Sequence, residues 1–212
     1  PGQRLVERAI AESTSTSQAS VREALQVLEQ EGLVTKKTNS ASFVTDLSAD
    51  RLREILSVRM QLEPYAVWLG SRRLTAAEVE ALGALVESIR QHAVHQDLYT
   101  CSREDFDFHR RLWQASGNEV LTRLLTQICT SYFAYTSLLP GLKEQELDER
   151  FGSHESLDRW WRAGLTTCYE QHRQLLDIVL SKDRQSIEAA VKKHMLEGWL
   201  WLFKDQPEQF GL

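Results

Sequence analysis

The chain has 212 residues and a formal net charge of −5, with 42% hydrophobic and 26% charged residues, an ordinary composition for a globular protein. The acidic balance argues against a protein whose whole surface coats nucleic acid, but it allows a small DNA-reading module on an acidic body. No run approaches the ~18 apolar residues of a membrane-spanning helix and no signal peptide opens the sequence, so we expect a cytoplasmic protein without a membrane partner.

The first 48 residues contain short elements separated by Ser and Thr clusters. Residues 4–12 (RLVERAIAE) predict a short amphipathic helix, and a turn follows in which Ser17 is a candidate N-cap. Residues 20–32 predict a second helix, and residues 33–45 predict two strands around the polar tip TNSAS. Helix, tight turn, helix and hairpin is the order of a winged helix-turn-helix, which predicts a DNA-binding domain over 1–48.

The remaining residues, 49–212, have the 3.6-residue apolar periodicity of helices almost throughout. The predicted helices cover residues 50–73, 75–96, 98–115, 118–139, 166–181 and 184–204, with Asn118 capping the fourth. Residues 142–165 are charged and then aromatic, and their pattern assigns no element. The chain is therefore predicted to be mostly α: a winged helix-turn-helix followed by an all-α helical bundle with an internal metal or ligand cavity.

Four side chains with metal-ligating chemistry lie on the apolar faces of three predicted helices. Asp105 and His109 are four residues apart, a spacing that places two side chains on one helix face about 6 Å apart. His172 and His194 each lie on the inward stripe of a later helix. Three imidazoles and a carboxylate suit zinc, nickel, iron or manganese, and an octahedral ion would keep two open positions. Histidines packed in an ordinary core are the alternative, and periodicity leaves both readings open.

The other ionisable and thiol side chains are expected to be structural. His92 and His95 lie on a polar-flanked helix end and His154 falls in the unassigned segment, so we expect these three histidines at the surface. The three cysteines are Cys101, Cys129 and Cys168. They are odd in number and form no CxxC pair, which favours buried free thiols.

A metal-dependent enzyme is the alternative function, because a His₃Asp site with open positions can activate water. The sequence offers no further general base beside the cluster. Glu170 is the nearest acidic candidate along the chain, and it is equally compatible with a surface position.

Five segments, spread over nearly the whole chain, match the motifs of one family in order and spacing. They are PGQRLVERAIAE…SVREAL…LEQEGLV (1–34), RMQLEPYAVWLGSRRLT (59–75), DFDFHRRLWQASGN (105–118), EQHRQLLDIVLSKD (170–183) and AVKKHM (190–195). The first resembles the winged helix of the GntR family of bacterial transcription regulators. The others resemble the FCD-type effector domain of its FadR-like subfamily, including two of its histidine segments.

The resemblance implies a dimeric, ligand-responsive, DNA-binding regulator and not an enzyme. It places Asp105, His109, His172 and His194 on the family's metal-ligand positions, with zinc as the first expectation and nickel, iron or manganese as alternatives. The family's effector is usually a small organic acid whose carboxylate reaches the metal.

Arg59 matches a family arginine that often lines the effector cavity. An arginine suits a carboxylate ligand because its fork binds both oxygens. A salt bridge with Glu63, four residues on, is an equally good account of Arg59.

The DNA-binding segment departs from the family pattern in ways that weaken it. Gln18 replaces the usual Arg, Ser20 the usual Pro, and Ser40-Ala41 the Arg-Gly of the wing, while residues 1–48 hold five basic and six acidic side chains, a net charge of −1. Phosphate neutralisation supplies most non-specific affinity for DNA, so this segment alone should bind DNA weakly. We expect one of three features to compensate: basic residues on a missing N-terminal helix, dimerisation, or a different base preference in which Gln18 reads a base edge. The expected DNA contacts are Ser17, Gln18, Ser20, Arg22, Lys36 and Lys37; a solvated hairpin is an equal alternative for the lysines.

Overall fold

The computed structural model describes residues 1–37, 41–138, 143–151 and 154–197. In chain order the elements are β1 (Arg4–Leu5), α1 (Glu7–Thr14), α2 (Gln18–Gln30), β2 (Val34–Lys37), β3 (Ala41–Val44), α3 (Ala49–Ser71), α4 (Ala76–Val94), α5 (Leu98–Ala115), α6 (Glu119–Leu138), α7 (Glu144–Phe151), α8 (His154–Leu180) and α9 (Arg184–Glu197). The prediction of a mostly α protein with an N-terminal winged helix-turn-helix is confirmed. Within the described ranges, no helix combines the length and apolar character needed to cross a bilayer.

The N-terminal unit has its own antiparallel sheet, in the order β1-β3-β2. Its first strand corrects the predicted helix over 4–12, because Arg4 pairs with Phe43 and Leu5 with Ser42. Only the later part of that segment is helical. A strand of two residues is stabilised by its partner strand, which a local helical pattern cannot reveal.

The turn between α1 and α2 follows from its serines. Ser15 adopts a left-handed conformation, with φ of 52°, which ends α1. The Ser17 hydroxyl accepts a hydrogen bond from the backbone N–H of Ser20, which confirms Ser17 as the N-cap of α2. The helix therefore begins at Gln18, two residues earlier than the apolar pattern predicted.

The helical bundle is organised around α3, which packs against α5, α6, α8 and α9. The centre of α5 is deeply buried: Phe108, Leu112 and Trp113 are each 0% exposed. Burying an apolar side chain of this size stabilises the fold by roughly 1.5–3 kcal/mol, so α5 is fixed firmly in the core. The ionisable residues on the same face of α5 are held in place with it.

Two stretches of the bundle differ from the prediction. The unassigned segment 142–165 contains α7 and the first half of α8, whose adjacent aromatic and charged residues obscure the helical period. The helix predicted over 166–181 is the second half of α8. The helix predicted over 184–204 runs to Glu197, and its last residues lie outside the described residues. Asn118 accepts a hydrogen bond from the N–H of Leu121, as expected of a helix cap.

The cysteines are free thiols, as predicted. Cys101 and Cys129 are buried and Cys168 is half-buried. Burial raises the pKa of both Cys101 and Cys129 to about 12, so these thiols stay protonated and behave as small apolar core residues.

Candidate metal centre

Asp105, His109, His172 and His194 converge inside the helical bundle. Helix α5 supplies the first two, α8 supplies His172 and α9 supplies His194, and one ligand-type atom from each lies within 4.8 Å of all the others. The two histidines at the centre are each 1% exposed, whereas Asp105 and His194 are half-buried. The structure therefore brings together all four of the predicted ligands, with one side of the cluster nearer to solvent.

Three of the separations between donor atoms fit ligands that share one ion. The Nε2 atoms of His109 and His194 are 3.2 Å apart, and Oδ1 of Asp105 lies 2.9 Å from Nε2 of His172 and 3.3 Å from Nε2 of His109. Two donors that are each ~2.0–2.1 Å from a zinc ion, at angles of about 90–109°, lie about 2.9–3.4 Å apart. The side chains that are present thus fit a transition-metal ion.

The outer nitrogens of two rings face partners that turn their inner nitrogens toward the cluster. Nδ1 of His172 lies 2.7 Å from the backbone carbonyl oxygen of Cys168, which assigns Nδ1 as a donor, so Nε2 is the nitrogen that can bind a metal once its proton is displaced. Nδ1 of His109 lies 2.5 Å from Oε1 of Glu63, an ion-pair contact whose N–H is not aligned for a hydrogen bond. Nδ1 of His194 is buried without a hydrogen-bond partner in the described part of the chain.

Glu63 is a functional candidate that the sequence analysis considered only as a partner of Arg59. It is 0% exposed, and its Oε2 accepts a hydrogen bond from Nε of Arg59 at 3.0 Å and forms an ion-pair contact with Nη2 at 2.9 Å. Its other oxygen faces His109, so Glu63 joins Arg59 to the cluster. Glu63 belongs to the R-x-x-LE motif of the sequence, and this motif was the signal that could have identified it as a functional residue. The salt-bridge account of Arg59 is therefore confirmed, and its guanidinium also lies over the ring of Tyr132 at 4.8 Å.

Without a metal, the surroundings of the cluster favour protons on two of its imidazoles. Burial opposes protonation of the rings, but the nearby carboxylates Glu63 and Asp105 raise the pKa of His109 to about 9. Cys168 and Asp105 likewise outweigh burial and raise the pKa of His172 to about 10. Burial also opposes ionisation of Asp105, yet His172 and His109 hold its pKa well below its usual range. Burial and these two charged rings keep the pKa of His194 well below normal. A divalent cation can replace the two protons charge for charge.

The predicted DNA-contacting side chains at the start of α2 have two different environments. Ser17 and Ser20 contact each other, because their hydroxyl oxygens are 2.9 Å apart and Ser17 also caps the helix. Gln18 is exposed at the first position of the helix. The serines therefore have a structural role at this turn, whereas the amide of Gln18 is available to a ligand.

The three basic side chains that were predicted to contact DNA have partners within the protein. Arg22 pairs with Glu7 at 2.7 Å, and Lys36 pairs with Glu29. The ammonium of Lys37 lies 4.9 Å from the centre of an aromatic ring on the neighbouring strand. All three remain exposed, so DNA can contact them only in competition with, or together with, these internal partners.

The remaining histidines lie apart from the cluster. His92 is half-buried and not at the surface as expected, because its Nδ1 lies 3.1 Å from Oε2 of Glu104 and 2.9 Å from the carbonyl oxygen of Ser88. Its polar sequence neighbours do not reveal the carboxylate that α5 brings to it. His95 is exposed, as predicted, and the side chain of His154 lies outside the described residues.

Two family models match the chain. The model described as "Bacterial regulatory proteins, gntR family" matches residues 1–44, and the "FCD domain" model matches residues 54–197, more than half of the chain. The chain belongs to the GntR family of transcriptional regulators. It is an FCD-domain member, as the motifs predicted.

Known proteins resemble this GntR-family regulator over most of its length. The HTH-type transcriptional regulator LutR of Bacillus subtilis is 25% identical over 211 residues, covering 92% of this chain and 89% of LutR. The structure of E. coli McbR/YncC superposes with a TM-score of 0.75 and 22% identity, over 96% of this chain and 88% of that one. The "Metal-free FCD domain of TM0439" superposes with a TM-score of 0.51 and 15% identity, over 76% of this chain and 96% of that domain.

The family excludes the enzyme alternative. GntR-family members are transcriptional regulators that bind operator DNA, and their FCD domains bind small-molecule effectors. Glu170, the nearest candidate for a general base along the chain, is exposed on α8. The cluster in this GntR-family regulator is therefore part of a sensing domain.

Proposed function

We propose that this regulator binds one divalent transition-metal ion through Asp105, His109, His172 and His194, with zinc the first choice and nickel, iron or manganese the alternatives. The observation that carries the proposal is the convergence of their four donor atoms within 4.8 Å at a buried point. Three imidazole nitrogens and a carboxylate oxygen favour these metals over calcium or magnesium, which prefer oxygen ligands.

The effector is a small organic acid whose carboxylate binds at the same centre. A bound divalent ion supplies a Lewis-acidic centre to which a carboxylate can bind. Asp105 and His194 are the more exposed ligands, which defines the side from which an acid approaches. Arg59 serves as a positive charge behind the site: Glu63 engages its Nε and Nη2, and its Nη1 has no hydrogen-bond partner in the described part of the chain.

The sensing domain controls DNA binding by a shift in conformational populations. An acid that binds one arrangement of the helical domain more tightly favours that arrangement and the placement of the winged helix that accompanies it. We place two winged helices on a roughly palindromic operator in a homodimer, because a net charge of −1 over residues 1–48 makes one module a weak DNA ligand.

The metal assignment is tested by elemental analysis of protein dialysed against zinc, nickel, iron or manganese. The parent should retain one ion per chain, and the His109→Ala/His172→Ala variant should retain none. The matched control is His95→Ala, which removes an exposed imidazole from the C-terminal cap of α4 and should retain the full complement. Equal retention by the double variant would refute the ligand assignment.

The effector assignment needs a separate measurement. A panel of mono-, di- and tricarboxylic acids is added to metal-loaded and metal-free protein, and binding is followed by calorimetry and by the anisotropy of labelled operator DNA. We expect at least one acid to bind only the metal-loaded form and to change operator affinity. An acid that binds both forms equally would contradict a carboxylate bound at the metal.

A further inference from the structure

One ion pair joins the two helices of the helix-turn-helix. Nε of Arg22 on α2 lies 3.2 and 3.1 Å from the two carboxylate oxygens of Glu7 on α1, and Nη2 of Arg22 lies 2.7 Å from Oε2. The two residues are 15 positions apart, so this contact joins side chains of separate helices. The pair raises the pKa of Arg22 and lowers that of Glu7, chiefly through the shared hydrogen bonds.

The geometry leaves a specific part of the guanidinium available. Glu7 occupies the edge formed by Nε and Nη2, whereas Nη1 has no hydrogen-bond partner among the described residues. The outer edge, formed by Nη1 and Nη2, is the one that reaches away from the carboxylate. An arginine fork of this kind matches O6 and N7 of guanine in the major groove, the commonest specific contact between proteins and DNA.

The position of Arg22 along its helix fits that contact. It is the fifth residue of α2, which begins at Gln18, and its side chain is 60% exposed. In helix-turn-helix proteins the second helix lies in the major groove, and its N-terminal residues contact base edges. A side chain that is both exposed and tethered can present one edge to a base in a fixed orientation.

We propose that Glu7 is a positioning residue for DNA recognition, which holds the guanidinium of Arg22 so that its outer edge reads a guanine. The proposal rests on the DNA-binding function of the winged helix. It assigns Glu7 a role in specificity, although its negative charge alone would weaken attraction to phosphate. Loss of Glu7 should therefore increase affinity for arbitrary DNA and decrease the preference for the operator.

Helix α1 offers a matched control for the charge. Glu12 forms an exposed ion pair with Arg8 four residues earlier, and neither of these residues bonds to α2. Glu7→Gln and Glu12→Gln each remove one negative charge from the same helix. Only Glu7→Gln frees Arg22, so the difference between the two variants isolates the positioning effect from general electrostatics.

The operator is first obtained by selecting bound duplexes from a random pool with the parent protein. Affinities for the selected duplex and for a scrambled duplex of equal length are then measured by anisotropy at several salt concentrations. We expect Glu7→Gln to lower the ratio of the two affinities at least about fivefold, since a good bidentate base contact contributes about 1–3 kcal/mol of discrimination. Glu12→Gln should leave this ratio unchanged and strengthen both affinities slightly.

Two further readouts separate positioning from a general loss of structure. In an Arg22→Ala background, Glu7→Gln should have no more effect on the ratio than Glu12→Gln has. Replacing selected guanines one at a time by 7-deazaguanine, which lacks the N7 acceptor, should remove the difference between parent and Glu7→Gln at one position of each half-site.

The outcomes distinguish the role of Glu7 from sequence-specific DNA binding itself, on which that role depends. If the parent protein selects no sequence, sequence-specific DNA binding and the role of Glu7 are both wrong. If it selects a sequence that Glu7→Gln and Glu12→Gln prefer as strongly as the parent does, only the role of Glu7 is overturned.

Discussion

Two arginine–glutamate pairs show how differently the same chemistry behaves in the two parts of this molecule. In the helical domain, the side chains of Arg59 and Glu63 are 3% and 0% exposed, and the acid also contacts His109. In the winged helix, the side chains of Arg22 and Glu7 are 60% and 32% exposed. The distances are similar, so burial and not bond length separates the two pairs.

The difference determines what each pair can do. A buried pair has lost its hydration, so removing one partner leaves an uncompensated charge in the core, and the pair persists as a fixed support for its neighbours. An exposed pair can exchange one partner for water or for a phosphate at little cost. We therefore assign the Arg59–Glu63 pair to holding the metal centre and the Arg22–Glu7 pair to presenting a side chain to DNA.

The largest expected effect breaks the buried pair. Glu63→Ala leaves the guanidinium of Arg59 and the ring of His109 without their carboxylate, and we expect it to lower the free energy of unfolding by about 3–5 kcal/mol. Urea denaturation of the metal-free protein measures this change. A loss as small as that of an exposed control, Glu12→Ala, would show that Glu63 does not compensate the buried charges.

A milder change at the same position sharpens the metal assignment. Glu63→Gln keeps the shape of the side chain but removes the charge that orients and polarises His109. We expect metal affinity to fall about 10–100-fold, the usual effect of losing the partner of a metal-bound histidine. Competition with a chromophoric chelator measures the affinity. Glu12→Gln, which removes an exposed carboxylate from α1, is the control and should leave the affinity within about twofold.

The protonation of the cluster predicts the direction of a pH effect. With pKa values raised to about 9 for His109 and about 10 for His172, the metal-free protein carries protons on both rings at neutral pH. A metal must displace them, so affinity should fall as pH decreases, by at least about tenfold per unit between about pH 8 and 6. Calorimetry in buffers of different ionisation enthalpy counts the protons released. Release of fewer than one proton per ion would contradict this assignment.

The smallest expected effect concerns the exposed pair. Glu7→Gln should leave the urea midpoint of unfolding unchanged, because both side chains are solvated and water replaces the lost contacts. The same variant should change DNA preference, as described above. A clear loss of stability would mean that the pair holds the helix-turn-helix together, and the comparison between the two pairs would then fail.

The sequence predicted what depends on local periodicity. The apolar period of α5 placed Asp105 and His109 on the face of the helix that also carries Phe108 and Leu112. The last three are buried, and Asp105 is half-buried beside His109. The spacing could not show that His172 and His194 reach the same point, since that depends on how three helices pack. The family resemblance supplied that expectation.

The predictions that were wrong or incomplete have a common physical cause: the residue that determines the local structure or contact lies far away along the chain or on another helix. Arg4 was assigned to a helix because its pairing with Phe43 is not visible locally. His92 was assigned to the surface because Glu104 reaches it from the next helix. Glu63 was recognised as a partner of Arg59, four residues away, but its contact with His109 exists only in the folded bundle.

The identity of the atoms around a bound metal ion tests the account most directly. X-ray absorption spectra of the zinc-loaded protein should show three imidazole nitrogens and one carboxylate oxygen contributed by the chain, at distances of ~2.0–2.2 Å. The His109→Ala/His172→Ala variant should give no such signal after dialysis. A zinc shell without histidine, or the same spectrum from the double variant, would contradict the claim that the four helix-borne side chains form the metal centre.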